Sequence, residues 1–252
     1  MNWLIFALIL AAGLAVGSFI SCLIWRLRVG RSIWERHSVC PRCLHPLGFK
    51  DLWPILSYAL QKGRCRYCQE FISWQYPVVE GATAILFWLA YWRFGLSWQL
   101  AANCLFLVIL LIIFIYDLKY YQILDKVVLP AIALALVINF WLGADIWRLL
   151  LGGLVGGAWF LWQWLVSRGR WVGDGDIRLG LLLGVMLGWP QVILALFLAY
   201  ISGAAVSLAL LAAGKKKLKS PMPLGVFLAA GGAVGLFFGE EIISWYLKLS
   251  GF

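Results

Sequence analysis

Charge is scarce in this sequence, and acidic charge is scarcest of all. Only 13% of the 252 residues are charged, against about 25% in a soluble globular domain, which excludes water as the main solvent of the fold. Eleven residues are acidic and two are histidine, so each carboxylate can be weighed singly. No serine or cysteine nucleophile has a plausible histidine partner, because His37 and His45 both lie in one basic loop. No glycine-rich turn follows a strand to mark a nucleotide site. The net charge of +10 is spread over separate short loops instead of one patch or arm, so nucleic acid is not expected as a partner.

What is present is apolar. Hydrophobic residues make up 63% of the chain, and several runs reach the roughly 17–25 residues that cross a hydrocarbon core as a helix. Sixteen tryptophans fit a membrane–water boundary. The runs predict eight spans, at 2–25, 77–94, 98–116, 127–142, 147–166, 179–189, 191–213 and 224–247. The run 179–189 is only 11 residues long before Pro190, and is expected to tilt, lie shallow or join its neighbour as a kinked helix. No basic region precedes the first run, and Arg26 and Arg28 follow it, so it reads as a retained span and not a signal peptide. The expectation is an all-α polytopic protein of about eight transmembrane helices, with membrane lipid as its surroundings.

Short cytoplasmic loops collect Lys and Arg, and that rule orients the chain. Arg26, Arg28, Arg31, Arg36, Arg42, Lys50, Lys62, Arg64 and Arg66 share one segment. Lys119 and Lys126, then Arg168, Arg170 and Arg178, then Lys215, Lys216, Lys217 and Lys219 follow in later loops on the same side. That side holds 18 of the 21 basic residues, leaving Arg93, Arg148 and Lys248 opposite. The four loops are therefore expected in the cytoplasm, with both termini outside. The sequence divides into a first helix (1–25), a cytoplasmic loop domain (26–76) and a membrane domain (77–252).

The loop carries Cys40-Pro41-Arg42-Cys43 and Cys65-Arg66-Tyr67-Cys68, two C-x2-C knuckles separated by 21 residues. That spacing is close to a four-cysteine zinc site. Four thiolates close the coordination sphere, so a metal on Cys40, Cys43, Cys65 and Cys68 would be structural. Two redox-active pairs, or no metal, are the other readings, and a reducing cytoplasm disfavours disulfides. Trp53-Pro54 and Leu56-Ser57-Tyr58 supply apolar material for a cap over the metal, and His37 and His45 read as solvent-facing. Cys22 and Cys104 lie inside apolar runs as small packing residues.

Among the acids, Glu35, Asp51 and Glu70 read as solvated partners of the loop's basic residues, and Asp145, Glu240 and Glu241 as polar outer ends. Asp117 directly follows the apolar run 104–116, and Asp125 precedes the next span. A helix-end carboxylate meeting Lys119 or Lys126 is the plain reading of Asp117. In Gly173-Asp174-Gly175-Asp176, the glycines allow tight turns that aim Asp176 inward at a helix start, where the macrodipole favours a carboxylate. Asp117 and Asp176 fall on the same side, at the ends of different spans. Two carboxylates sharing a water would provide general base and general acid, as in aspartic proteases. A proton- or ion-coupled transporter, which predicts acids deeper in the spans and internal repeats, and a non-catalytic assembly factor built on the zinc loop, are the competing classes.

The order of motifs resembles the bacterial prepilin peptidases, bifunctional membrane enzymes of type IV pilus and type II secretion systems. The likeness runs along nearly the whole chain. Gly17-Ser18-Phe19 with Arg26 is similar to the family's G-S-F opening. The two knuckles follow, with Gly63-Arg64-Cys65, then Tyr76-Pro77-Val78-Val79-Glu80, similar to Y-P-x-V-E. Residues 117–125 resemble D-x6-P-[DN] with Leu124 in place of the proline, and 173–176 resemble G-x-G-D. Pro223-Leu224-Gly225-Val226 stands where the family has P-x-G-P.

This resemblance implies catalytic roles for Asp117 and Asp176, while Asp174 falls on a variable position. It implies cleavage after the glycine that ends a short basic leader on prepilin or pseudopilin substrates, at the cytoplasmic face of the inner membrane. It also implies N-methylation of the new N-terminal residue from S-adenosyl-L-methionine, structural zinc in the cysteine loop, and association with pilus or type II secretion assembly. Glu80 is expected either to pair with a basic residue as an anchor or to help bind the substrate's new amino terminus. The departures at Leu124 and Val226 bear on loop stiffness, and so on substrate preference or efficiency.

Overall fold

A computed structural model describes residues 3–32, 34, 35, 37–217 and 220–250. Met1 and Asn2 of the first expected span, and Arg36 and Lys219 of the basic loops, lie outside the described residues. Among the described residues the regular structure is helical: α1 (Trp3–Val29), α2 (Leu56–Leu60), α3 (Gln75–Phe94), α4 (Trp98–Tyr120), α5 (Asp125–Trp141), α6 (Ile146–Ser167), α7 (Asp174–Leu187), α8 (Gln191–Ala212) and α9 (Leu224–Leu249). Each of the eight expected apolar runs is helical. Five of the helices, α1, α4, α6, α8 and α9, are long and apolar enough to cross a membrane. At 1.5 Å per residue, α5 and α7 are about 26 and 21 Å long, short of a core of about 30 Å.

The chain divides into two compact units, Met1–Leu100 and Ala101–Phe252. In the first, α1 and α3 lie side by side. Their close approach needs a missing side chain: a Cβ on Gly17 would sit 2.6 Å from the Glu80 Cα. Between these helices the chain forms α2 and the two cysteine knuckles.

The second unit is built around its shortest helix. Leu179, Leu182 and Leu183 of α7 are wholly buried, and they join one core with Phe106 and Leu110 of α4, Val128 of α5, Phe160 of α6, Val192 of α8 and Leu228 of α9. A helix apolar on all sides belongs inside a bundle. Gly152 and Gly156 of α6 meet Gly184 and Gly180 of α7 so closely that a Cβ on Gly184 would overlap the Gly152 carbonyl. In the last turn of α7, carbonyls that the helix cannot pair internally are taken by α5: the Asn139 amide donates to Val185 O at 2.9 Å and to Met186 O at 3.0 Å. The run 179–189 does not join its neighbour, because α7 stops at Leu187 and Gly188 takes φ +73° before α8 begins.

Candidate active site and cysteine centre

The helix that carries Asp117 runs further than the apolar pattern predicts. α4 continues to Tyr120, so Asp117 is a helix residue and does not follow the helix. The residue is 4% exposed. Oδ2 accepts a hydrogen bond from the Val226 N–H at 3.2 Å, with the Gly225 N–H also bonded to the carboxylate. Both donors lie in the first turn of α9, where helix amides have no internal acceptor. A Cβ on Gly225 would stand 2.8 Å from Oδ2, so only glycine lets the carboxylate come this close. The expected partners Lys119 and Lys126 form no ion pair with Asp117, and among the described residues its partners are backbone amides.

Asp176 is the third residue of α7 and 7% exposed. It reaches back to the residue before the helix, Oδ2 accepting from the Gly173 N–H at 2.8 Å; this is the carboxylate half of a capping box. The turn is tight, since a Cβ on Gly175 would meet the Ile123 Cβ at 2.9 Å. The charge on Asp117 acts on Asp176 electrostatically, so the structure brings these two acids into one region. Asp174 and Asp125 are held apart from that role: Arg178 bonds to both, reaching Asp174 Oδ2 at 3.1 Å and pairing with Asp125 Oδ1. Neither Asp117 nor Asp176 has a cationic partner among the described residues.

The four cysteines of the loop also come together. Their Sγ atoms lie within 4.8 Å of one another, and those of Cys40 and Cys68 are 4.0 Å apart. Sulfurs about 2.3 Å from a tetrahedral zinc ion sit about 3.8 Å apart, so the set fits such an ion. The two knuckles repeat one backbone design. Cys40 N bonds to His45 O and Leu44 N to Cys40 O; Cys65 N bonds to Glu70 O and Gln69 N to Cys65 O. Leu44 and Gln69 both take φ +58°. Burial works against ionisation of Cys40, yet the Cys43 and Arg42 N–H groups and the neighbouring thiols bring it down to about 7. The Glu70 N–H favours the Cys68 thiolate, but burial and hydrogen bonds with the other three sulfurs push that thiol up to about 11. The thiolate is the form that binds a metal.

Residues 11–94 match the family model described as the bacterial peptidase A24 N-terminal domain, and residues 104–208 match the type IV leader peptidase family. The chain is 34% identical over 241 residues to the prepilin leader peptidase/N-methyltransferase of Bacillus subtilis (strain 168), covering 94% of this chain and 96% of the relative. It is 32% identical over 272 residues to the protein of the same name from Stutzerimonas stutzeri, covering 96% and 93%. The chain belongs to the type IV leader peptidase family. No solved structure matches it.

As a member of that family the protein is an enzyme, and its five long apolar helices fit a multi-pass membrane protein. The four cysteines lie in the stretch matching the N-terminal domain, and both aspartates lie in the stretch matching the peptidase family. Three supporting residues escape a reading of the sequence. Asp51 is a buried hub and not a solvated partner: its side chain is 4% exposed and bonds to Gly48 N, Gln61 Nε2, Tyr67 Oη and Arg66 Nε. Glu80 is an anchor, but not through a basic residue: Oε2 accepts from the Ile55 N–H at 2.6 Å and the carboxylate bonds to the Ser18 side chain, which latches the loop to the α1–α3 pair. Val226 donates to Asp117 across 109 positions of sequence, and no local pattern signals a contact of that range.

Proposed function

We propose that Asp117 and Asp176 are the catalytic carboxylates of a membrane aspartic endopeptidase that removes the leader from prepilins or pseudopilins. The observation that carries this reading is the pair's environment. Two buried carboxylates lie within electrostatic reach of each other, each held by backbone amides and neither neutralised by a cation. Like charge in a dry site disfavours two anions together, so one acid keeps its proton. The ionised member takes a proton from water as the water oxygen bonds to the scissile carbonyl carbon. The protonated member gives its proton as the carbon–nitrogen bond breaks and the amine leaves.

The substrate comes from the relatives' names and from topology. With eight spans and the basic loops in the cytoplasm of the inner membrane, the aspartates meet a cytoplasmic basic leader whose next segment is an apolar helix. Cys40, Cys43, Cys65 and Cys68 would hold a structural zinc ion, which closes the loop and leaves no open position for substrate. The relatives' names also carry N-methylation, which supports a second activity here, methylation of the new N-terminal residue with S-adenosyl-L-methionine as methyl donor. Mass spectrometry of the N-terminus of a co-expressed prepilin tests the reading, since cleavage position and an added 14 Da (one CH2) are read together. Cleavage after the leader glycine, lost in Asp117→Asn and in Asp176→Asn, is the expected result; a processed N-terminus in either variant refutes the pair.

A further inference from the structure

The apolar residues that the sequence offers as a cap over the cysteines stand on the outside of the loop. Leu52, Trp53, Ile55 and Leu56 are exposed, Leu60 is 74% exposed, and no residue of α2 is buried. Residues 52–61 carry no charge in a loop otherwise dense with Arg and Lys, and the exposed Lys50 and Lys62 stand on either side of them. A contiguous apolar surface of this kind marks a contact with something other than water.

Three contacts fix the height of this run along the helices. A Cβ on Gly17 would sit 2.6 Å from the Glu80 Cα, so Glu80 is level with Gly17 of α1. Gly17 stands nine residues before Arg26, the first charge after the apolar part of α1, which places it about 13 Å down the helix. Glu80 Oε2 takes the Ile55 N–H at 2.6 Å, and the Ile55 Cδ1 lies 4.0 Å from where a Cβ on Gly81 would be. Tyr58 meets the ring of Trp74, the residue before α3, at 5.3 Å. The chain therefore reaches the level of Gly81 at Ile55 and returns to the level of Trp74 by Tyr58. Near the level of that tip, Phe19 of α1 and Val78 of α3 are exposed too. α1 is long and apolar enough to cross a membrane, and this level of it lies within the hydrocarbon.

A segment can sit at such a depth only if its backbone is satisfied. Pro54 has no N–H, Glu80 takes that of Ile55, and the Ser57 and Ala59 N–H groups bond to Trp53 O and Ile55 O at 2.9 Å. Ile55 takes φ +58°, a rare conformation for a β-branched residue. The Glu80 bond thus holds the chain where the residue's own preference would not.

We propose that residues 52–60 are a re-entrant wedge among the lipid acyl chains of the leaflet nearer Arg26, pinned at Glu80, with Lys50 and Lys62 at the level of anionic headgroups. An apolar face sunk about 5–10 Å into the headgroup–acyl boundary, with basic residues beside it, binds such a surface. The loop 26–76 then touches the bilayer at a point of its own, besides α1 and α3, and does not lie wholly in water. The wedge is independent of the aspartyl reading.

The test uses the full-length enzyme, without substrate, in vesicles of phosphatidylcholine and phosphatidylglycerol doped with a phosphatidylcholine that carries a diazirine within one acyl chain. Light expels nitrogen, the carbene inserts into the side chain beside it, and peptide mass spectrometry locates the adducts. Adducts on 52–60 are expected at the yield found for Phe19 and Val78, and well above that of Leu44, an exposed apolar residue of the first knuckle. A yield at or below that of Leu44 overturns the proposal. Hydroxyl-radical oxidation of the same vesicles then says what stands there instead. Oxidised Trp53 and Leu56 without lipid adducts mean a solvated loop, and neither label means that protein covers the run; both outcomes refute the wedge.

Glu80→Ala removes the pin, and is expected to lower the yield on 52–60 relative to Phe19 about threefold or more. Glu80→Gln keeps an acceptor for the Ile55 N–H and should leave the yield unchanged. Full labelling in Glu80→Ala overturns the pin and shows lipid alone holding the wedge. Where Glu80→Ala fails to fold, labelling of the unaltered enzyme decides.

Discussion

In the first unit, Asp51 gathers one backbone amide, one amide side chain, one phenol and one guanidinium around its carboxylate, and four thiols from two knuckles converge beside it in sequence. In the second unit, Asp117 and Asp176 gather backbone amides alone, and Asn139 spends its amide on backbone carbonyls. The loop is shaped by side chains that hold its backbone; the bundle is shaped by backbones that hold its side chains. The physical cause is the core available to each. A loop of about 45 residues buries too little apolar surface to fold without a staple, whereas α4–α9 share one apolar core and come close enough, through glycine, for main chain to meet main chain. Polar side chains in such a core are costly unless bonded, and helix termini supply the donors and acceptors at hand.

The largest effect that tests this contrast is removal of the cysteine centre. A strong chelator, or Cys65→Ser, is expected to release one zinc per chain and open residues 37–74 to trypsin at the exposed Arg42 and Arg66. The free energy at stake is on the order of 10 kcal/mol, as in small structural zinc domains. Helix content of α4–α9, read by circular dichroism, should stay constant. A loop that remains protected after metal loss would show that side-chain hubs such as Asp51 suffice, and the contrast would weaken.

Next comes the aspartate pair. Asp117→Asn and Asp176→Asn are each expected to reduce cleavage by about 10²–10⁴-fold, the range for removing an acid–base group. Both should leave zinc content and trypsin resistance of the loop at the level of the unaltered protein, because their partners are in the second unit. Loss of zinc in either variant would mean that the two regions are not independent.

How much of this was legible beforehand follows the same divide. The knuckles were readable because C-x2-C spacing is local, and Asp176 because glycine flanks and a helix start are local. Each apolar run announced its helix. Five of these helices are long and apolar enough to cross a membrane by length and composition, while α3, α5 and α7 are helical but shorter or less apolar than those five. Asp51 and Glu80 looked like partners for Arg and Lys, since charge pairing is the only local signal a carboxylate gives. Asp51 does pair with Arg66 as expected, but the other partners, Gly48, Gln61 and Tyr67 of Asp51 and Ile55 of Glu80, include backbone amides, and backbone amides have no signature in sequence. The Val226–Asp117 contact is of the same kind and longer range.

A smaller effect probes the bundle's own device. Gly184→Ala places a methyl group on the Gly152 carbonyl, where only backbone movement can relieve the overlap. The expected cost is about 1–3 kcal/mol, typical of overpacking, seen as a lower midpoint of thermal unfolding in detergent. The loop should keep its zinc and its protease resistance. No change in the midpoint would mean that α6 and α7 do not rely on contact through glycine.

The smallest effect should come from Arg178, an exposed place where the second unit also joins its elements through side chains, as Gln163 and Tyr200 do between α6 and α8. Arg178 bonds to Asp125 of α5 and Asp174 of α7, a side-chain hub like that of Asp51. The difference is exposure: the Asp51 side chain is 4% exposed, while Arg178, Asp125 and Asp174 are 35%, 49% and 71% exposed. Water and salt screen charges at such positions, and exposed pairs contribute about 0–1 kcal/mol. Arg178→Ala is therefore expected to lower stability by less than about 1 kcal/mol, with the deficit shrinking further as salt is raised through about 0.15 M. Asp51→Ala, which strips a buried carboxylate from four donors, should cost the loop more, on the order of 2 kcal/mol. If Arg178→Ala proves the more damaging, the second unit depends on a side-chain hub after all, and the division between a loop held by side chains and a bundle held by backbone fails at the edge of the proposed active site.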